Sequence, residues 1–470
     1  MKLAKSLLLG SAAALVATAG ANAADLPSRK AAPVQFVQVC TAYGAGFFTI
    51  PGTDTCLKMG GRVRADYAVS ALQNFYSGGT INQATGALVD TVSEYKGAQS
   101  LYGSEVRARV DFDARTPTAY GTVQTVASLR LARTAGTLAG SGAISSAGSA
   151  TPTLEAAFVR FAGFTFGISR DNFSFMPSIF YGAGHWSSFA NGANQIAYTA
   201  VLGGGFSATL ALQDRSYTTA GGVNGSGTAA NSYYRSMPQV NARVDWDQSW
   251  GSVALTGAVG QATGRYGAAN AATVSHESET VWAVGVGTRI NLPMIAAGDA
   301  LWLTAAYADG MTEYTTNWFS NKTSDTLRNV GGYAYAAYPS WVYNTGNSID
   351  TVKSWVVAGI FQHFWTPQWR HSFVASYGQH DSPASLKALS FAGGGYGDST
   401  VWNLGSQIAF VPTRNFEIGL EIMYARTEAD VRRTATGTGT AFCAVATDAS
   451  CVTSEKLGNW TGRLRVERTF

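Results

Sequence analysis

Polar and apolar residues alternate along many ten-residue stretches of this chain. In 106–115, Arg107, Arg109, Asp111, Asp113 and Arg115 share one parity, while Val106, Ala108, Val110, Phe112 and Ala114 share the other. Successive side chains of a strand point to opposite faces, so the pattern predicts a strand with one charged and one apolar face. The same alternation runs through 61–69, where Arg62, Arg64 and Asp66 oppose Val63, Ala65, Tyr67 and Val69. It recurs in 239–246 and again around Phe416, where Glu417 and Glu421 oppose Ile418, Leu420 and Ile422.

Alternation alone also fits a water-soluble sandwich with its apolar face turned inward. The rhythm of the connections separates the two. Short connections at 115–119, 163, 203–205, 247–251, 365–369 and 412–415 alternate with long polar ones at 73–102, 136–152, 218–232, 310–350 and 428–454. Short turns on one side and long loops on the other mark a transmembrane barrel. Strands are predicted at 58–70, 104–115, 119–133, 153–162, 164–170, 195–203, 205–216 and 235–247. They continue at 251–266, 278–292, 300–310, 351–364, 369–381, 398–411, 416–428 and 456–470. The expected fold is therefore all-β, a 16-stranded antiparallel transmembrane β-barrel. Closure removes the unpaired edges a bilayer cannot hydrate, and this many strands leave a water-filled lumen.

Composition sharpens this. Lys2 and Lys5, an apolar run from Leu7 to Ala19 and the small-residue site Ala21-Asn22-Ala23 read as a secretory leader over 1–23, with 24–470 as the barrel domain. Charged residues make up only 13% of the chain, against about 25% in soluble domains. The net charge of +4 includes the two leader lysines, and nothing in it suggests nucleic acid as a partner. Trp246, Trp282, Trp402, Trp460 and Phe470 fall on apolar faces near strand ends, as interfacial girdles do.

The four cysteines lie in two local pairs, Cys40 with Cys56 and Cys443 with Cys451. Three pairings are open in principle. The short separations favour Cys40–Cys56 and Cys443–Cys451, and an oxidising periplasm permits both. Zinc binding is the rival use, but neither pair has close spacing or nearby histidine. No G-x-S-x-G or H-E-x-x-H motif is present, and no enzymatic activity, cofactor or metal is expected. Gly397-Asp398-Ser399 is read as turn chemistry. His185, His276, His363, His371 and His380 are scattered, although the last three fall on neighbouring strands.

The segment beginning ADLPSRKAAPVQFVQVC and continuing TAYGAGFFTIPGTDTCLKMGGRVRADY resembles the alphaproteobacterial porin family. The C-terminal strand, with Trp460, Leu464, Val466 and Phe470 on one face, is similar to the terminal signal read by the outer-membrane assembly machinery. The resemblance implies an outer-membrane homotrimer of sixteen-stranded barrels, in contact with outer-membrane lipids and lipopolysaccharide, through which small hydrophilic solutes diffuse. It further implies that the third outer loop, here 169–194, folds into the lumen as a constriction. Its aromatic residues (Phe173, Phe175, Phe180, Tyr181, Trp186, Phe189) suit packing on a wall; the other reading is a loop covering a neighbouring subunit.

The candidate pore-lining residues are Arg62, Arg64, Arg107, Arg109 and Arg130 on the polar faces of the first three strands, with Asp171 on the loop. General porins, which the chain resembles, tend to set a basic wall against an acidic inward loop. A single loop acid departs from that pattern, and Asp66, Asp111 and Asp113 sit among the arginines, so weak selectivity of open sign is expected. Three functions fit: a general diffusion channel, a substrate-specific channel, and a surface adhesin built on a plugged barrel.

Overall fold

The computed structural model describes residues 38–73, 75–77, 93–95, 100–136, 151–181, 192–214, 223–224, 237–266, 275–315, 340–343, 348–387, 395–432 and 452–470. The leader predicted over 1–23 and the Cys443–Cys451 pair lie outside them. The chain divides into two units, 1–56 and 57–470.

The first unit is a small hairpin. A bridge joins Val39 to Phe48, and Cys40 N–H donates to the Phe47 carbonyl at 2.9 Å. Cys40 and Cys56 form a disulfide, and with Phe47 they make a miniature core beneath Tyr43. Too few apolar residues are gathered here to order the segment by burial alone. In the chain-entropy view, the cross-link over this span contributes about 3 kcal/mol by restricting the unfolded chain.

The second unit is the barrel. Its strands are β1 (Cys56–Gln73), β2 (Ser100–Thr118), β3 (Gly121–Gly136), β4 (Thr151–Phe161), β5 (Phe164–Arg170), β6 (Gly192–Gly203), β7 (Phe206–Gln213) and β8 (Gln239–Gln248). They continue as β9 (Gly251–Tyr266), β10 (Ser275–Asn291), β11 (Ala300–Asp309), β12 (Lys353–Phe364), β13 (Trp369–Asp381), β14 (Gly395–Thr413), β15 (Phe416–Arg432) and β16 (Val452–Thr469). Each pairs with its sequence neighbour, and the ring closes where β1 runs antiparallel to β16, from Arg62↔Thr469 to Gln73↔Gly458. Every strand predicted from the alternation is present. Several extend further at the long-loop end, such as β2 and β14. There the ladder takes in Ser100-Leu101-Tyr102-Gly103 and Gly395-Tyr396-Gly397, which lie outside the alternating stretches. The predicted loop 310–350 holds a 3₁₀ turn at Thr312–Tyr314 and an antiparallel pair, Trp341–Tyr343 with Ile349–Thr351.

Burial separates the barrel from a soluble sandwich. Val63, Leu420 and Ile422 are each close to half exposed, whereas Asp66, Asn403, Gln407 and Glu421 on the opposite faces are at most 2% exposed. Exposing a belt of such side chains to water would cost roughly 1.5–3 kcal/mol each, so hydrocarbon is the medium that this surface fits. Rings gather at both rims of the belt. Trp282 meets Tyr307, Trp355 meets Tyr377, and Trp402, Tyr424 and Trp460 form a row toward the long loops. Trp246 stacks on Phe206 near the short turns, and Trp369 stacks on Phe410.

Candidate functional site: the polar inner face of the barrel

Inward-facing charge is concentrated on one arc of the wall, β15–β16 and β1–β4. At the closing seam the Arg465 guanidinium grips Asp66 through two hydrogen bonds, 2.6 and 2.9 Å. Arg64 lies 3.3 Å from Asp66 and 3.4 Å from Glu105, and Glu105 also takes Arg107 at 2.7 Å. Arg109 reaches Asp111 at 2.9 Å and Glu155 at 3.5 Å, while Arg130 reaches the other Glu155 oxygen at 3.1 Å. Arg62 sits 3.8 Å from Glu467, and Arg115 pairs with Asp113 at 2.8 Å. All five predicted wall arginines therefore share one arc, and each has a carboxylate partner.

Glu155 is the member that alternation does not reveal. The β3–β4 register slips between Ser128↔Ala156 and Leu129↔Leu154, leaving Glu155 as the extra residue of a bulge. A bulge re-aims a side chain, and here it aims a carboxylate between two arginines. Arg463 and Arg465 lie on the same parity in the C-terminal strand, but only closure of the ring brings them beside β1.

The segment that follows β5 is described as far as Tyr181, and it packs on residues of the polar faces. The start is held by a buried amide network. Asn172 Nδ2 donates to Gln195 Oε1 at 2.7 Å, and Gln213 Nε2 donates to the same oxygen at 3.0 Å. Asn241 Nδ2 donates to Asp171 Oδ1 and to the Tyr314 hydroxyl, both at 3.2 Å. Arg243 Nη1 then donates to the Ser174 carbonyl at 3.0 Å, and Gln407 Nε2 to the Ile179 carbonyl at 2.9 Å. At the far end Arg463 Nη1 donates to the Tyr181 carbonyl at 2.7 Å, Tyr181 N–H donates to Glu421, and its hydroxyl donates to Glu417. The Arg465 guanidinium lies over the Tyr181 ring, 4.2 Å from its centroid.

Inward-facing glycines make the seat. A Cβ at Gly287 would meet Phe175 at 2.1 Å, one at Gly405 would meet Phe180 at 3.3 Å, and one at Gly419 would meet the Tyr181 hydroxyl at 1.9 Å. Met176 and Phe180 pack with Ile360, Val374 and Met423, and the Phe173 ring lies tilted against Tyr314 with ring centroids 4.1 Å apart.

Asp171 is placed differently from the pore-lining role read from the sequence. It is 2% exposed, because the amides of β8 and the N–H of Phe173 fold around its carboxylate. Burial pushes its pKa up to about 6, and also raises that of the Tyr181 phenol, to which Glu417 adds. The predicted loop 169–194 is shorter than expected: β5 runs to Arg170 and β6 starts at Gly192. Trp186 and Phe189 lie outside the described residues.

The Gly397-Asp398-Ser399 triplet is not a turn. It belongs to β14, beside a register shift between Tyr396 and Ser399. Ser399 lies 3.3 Å from His380 Nδ1, but both are buried, and the Asp398 carboxylate is taken by Lys387 and the Ser382 N–H. His363 pairs with Asp299 and His371 with Ser406. Among the described residues no group of three or more His, Cys, Asp or Glu is set to hold a metal ion.

A closed antiparallel barrel with an exposed apolar belt and a charged interior defines a transmembrane β-barrel. The Porin subfamily model matches residues 25–452, so the chain belongs to that family, whose barrels lie in the outer membrane. It is 33% identical over 257 residues to porin Omp2b of Brucella suis biovar 1 (strain 1330), a match covering 53% of this chain and 64% of that protein. Porin Omp2b of Brucella abortus (strain 2308) is 32% identical over the same length. The chain thus matches somewhat under two thirds of these relatives' own length. Among solved structures, the outer membrane channel DcaP of Acinetobacter baumannii shares the fold, with a TM-score of 0.55 at 16% identity, over 90% of this chain and 99% of that one.

Proposed function

We propose that this protein is a passive diffusion channel for small hydrophilic solutes and ions, that it works as a homotrimer, and that the 169–194 segment narrows its lumen. The observation that carries the reading is the line of contacts from Asp171 to Tyr181. It touches inward-facing residues of β8, β10, β14, β15 and β16 and so spans the polar side of the wall. A segment held there takes up cross-section that sixteen strands would otherwise leave to water. Solutes then move down their gradients without energy coupling. The segment limits their size, and the wall arginines act on their charge. Phe470 is the residue offered to the assembly machinery, and lipids and lipopolysaccharide surround the outer belt.

The test is single-channel recording of the detergent-extracted protein in a planar bilayer. Large ohmic steps that close in thirds are expected. A silent bilayer, from protein shown to be folded, would overturn the channel reading in favour of a surface-binding barrel.

A further inference from the structure

The wall and the segment are electrically unequal, and that asymmetry gives the path a sign. On the charged arc, three carboxylates each serve two guanidiniums: Asp66 serves Arg64 and Arg465, Glu105 serves Arg64 and Arg107, and Glu155 serves Arg109 and Arg130. With Asp111 added for Arg109, this cluster sets five arginines against four acids, while Arg62 and Arg115 on the same arc are matched one to one by Glu467 and Asp113. A guanidinium has five N–H donors, so one shared carboxylate leaves donors over. The side chains of Arg107, Arg109 and Arg130 remain 19%, 30% and 25% exposed, so water reaches them.

The segment supplies no balancing charge. Asp171 is the only carboxylate in 171–194, and it is buried in its amide nest. The described contacts of the segment fall on β6, β8, β10 and β12–β16, while the exposed guanidiniums stand on β2 and β3.

Resting on the channel reading above, we propose that solutes cross along this arginine arc and that the path prefers anions. Carboxylates and phosphates are held briefly by Arg107, Arg109 and Arg130 on the way through. Planar oxyanions match the guanidinium fork, and low-dielectric walls focus the excess positive field onto the narrow section. Glu155 is the residue that tempers the preference, since it is the carboxylate shared by the two most exposed of these arginines.

The experiment is reversal-potential measurement on the native protein in a planar bilayer under a potassium chloride gradient, followed by addition of inorganic phosphate to one side. A chloride-to-potassium permeability ratio of at least about two is expected, with chloride current reduced as phosphate is added. Glu155→Gln should raise the ratio, and the pair Arg107→Gln with Arg130→Gln should lower it. Each variant is first checked for native strand content. If the double variant does not fold, the native protein and E155Q still decide. A ratio at or below one in the native protein, or a ratio lowered by E155Q, overturns the anion path while leaving the channel intact. Absence of any conductance overturns both and is told apart by the missing steps.

Discussion

Arg109 and Arg130 stand directly opposite each other across the β2–β3 ladder, and Glu155 reaches both. Like charges at facing positions repel, and a bulge in the next strand supplies the countercharge. Glu155→Ala should lower stability by only about 0.5–1 kcal/mol, because all three groups are partly solvated. The loss should shrink at high salt, where the repulsion is screened. Thermal unfolding in detergent at low and high ionic strength checks this. Equal losses at both would show that the residue acts through packing instead.

The glycine seat makes the constriction separable from the barrel. Gly419→Ala would push against the Tyr181 hydroxyl and Gly287→Ala against the Phe175 ring. Overpacking of this kind costs roughly 1–3 kcal/mol locally. The segment, not the ladder, should yield, so single-channel conductance should rise while strand content by circular dichroism stays native. Unchanged conductance in both variants would mean that the segment does not limit flow.

Asp171 should make the packing of the segment pH-dependent. Its folded pKa of about 6 lies above the ordinary value near 4. Below about pH 4 the carboxyl is protonated whether or not the segment is seated, and the packing is at its strongest. As pH rises toward 6, release of the segment lets the group ionise, and stability falls by up to roughly 2–3 kcal/mol before levelling off. Current noise from segment motion should therefore grow between pH 4 and 6 and then plateau. Asp171→Asn should abolish that dependence, and a persisting slope would assign it to another group.

Charge should be tolerated on one parity of β15–β16 and not on the other. Leu420 is 47% exposed on the apolar belt, whereas Thr461 shares the parity of Arg463. Leu420→Arg should cost about 2–4 kcal/mol if near the bilayer midplane, and Thr461→Arg much less. Urea titration of refolding into vesicles measures both. Similar costs would mean that the inner face is not wetted.

The strands were legible because side-chain parity is a local property that a bilayer enforces on every residue it touches. Arg62, Arg64, Arg107, Arg109 and Arg130 could be set on the inner side for that reason. Glu155 could not, since a bulge shifts parity by one and leaves no mark in composition. Arg465 faced inward by the same rule, but its partner Asp66 belongs to the other end of the chain. The burial of Asp171 depends on Gln195, Gln213, Asn241 and Tyr314, which come from four separate elements. No window of sequence holds them together.

The Asp66–Arg465 pair joins residues 399 positions apart at the seam. No other strand pairing in the ring spans such a distance, so this contact carries the largest loop-closure entropy and belongs late in folding. Until it forms, β1 and β16 are two open edges able to capture strands from other chains. The buried ion pair therefore sits where the growing sheet must choose between closing on itself and polymerising with its neighbours.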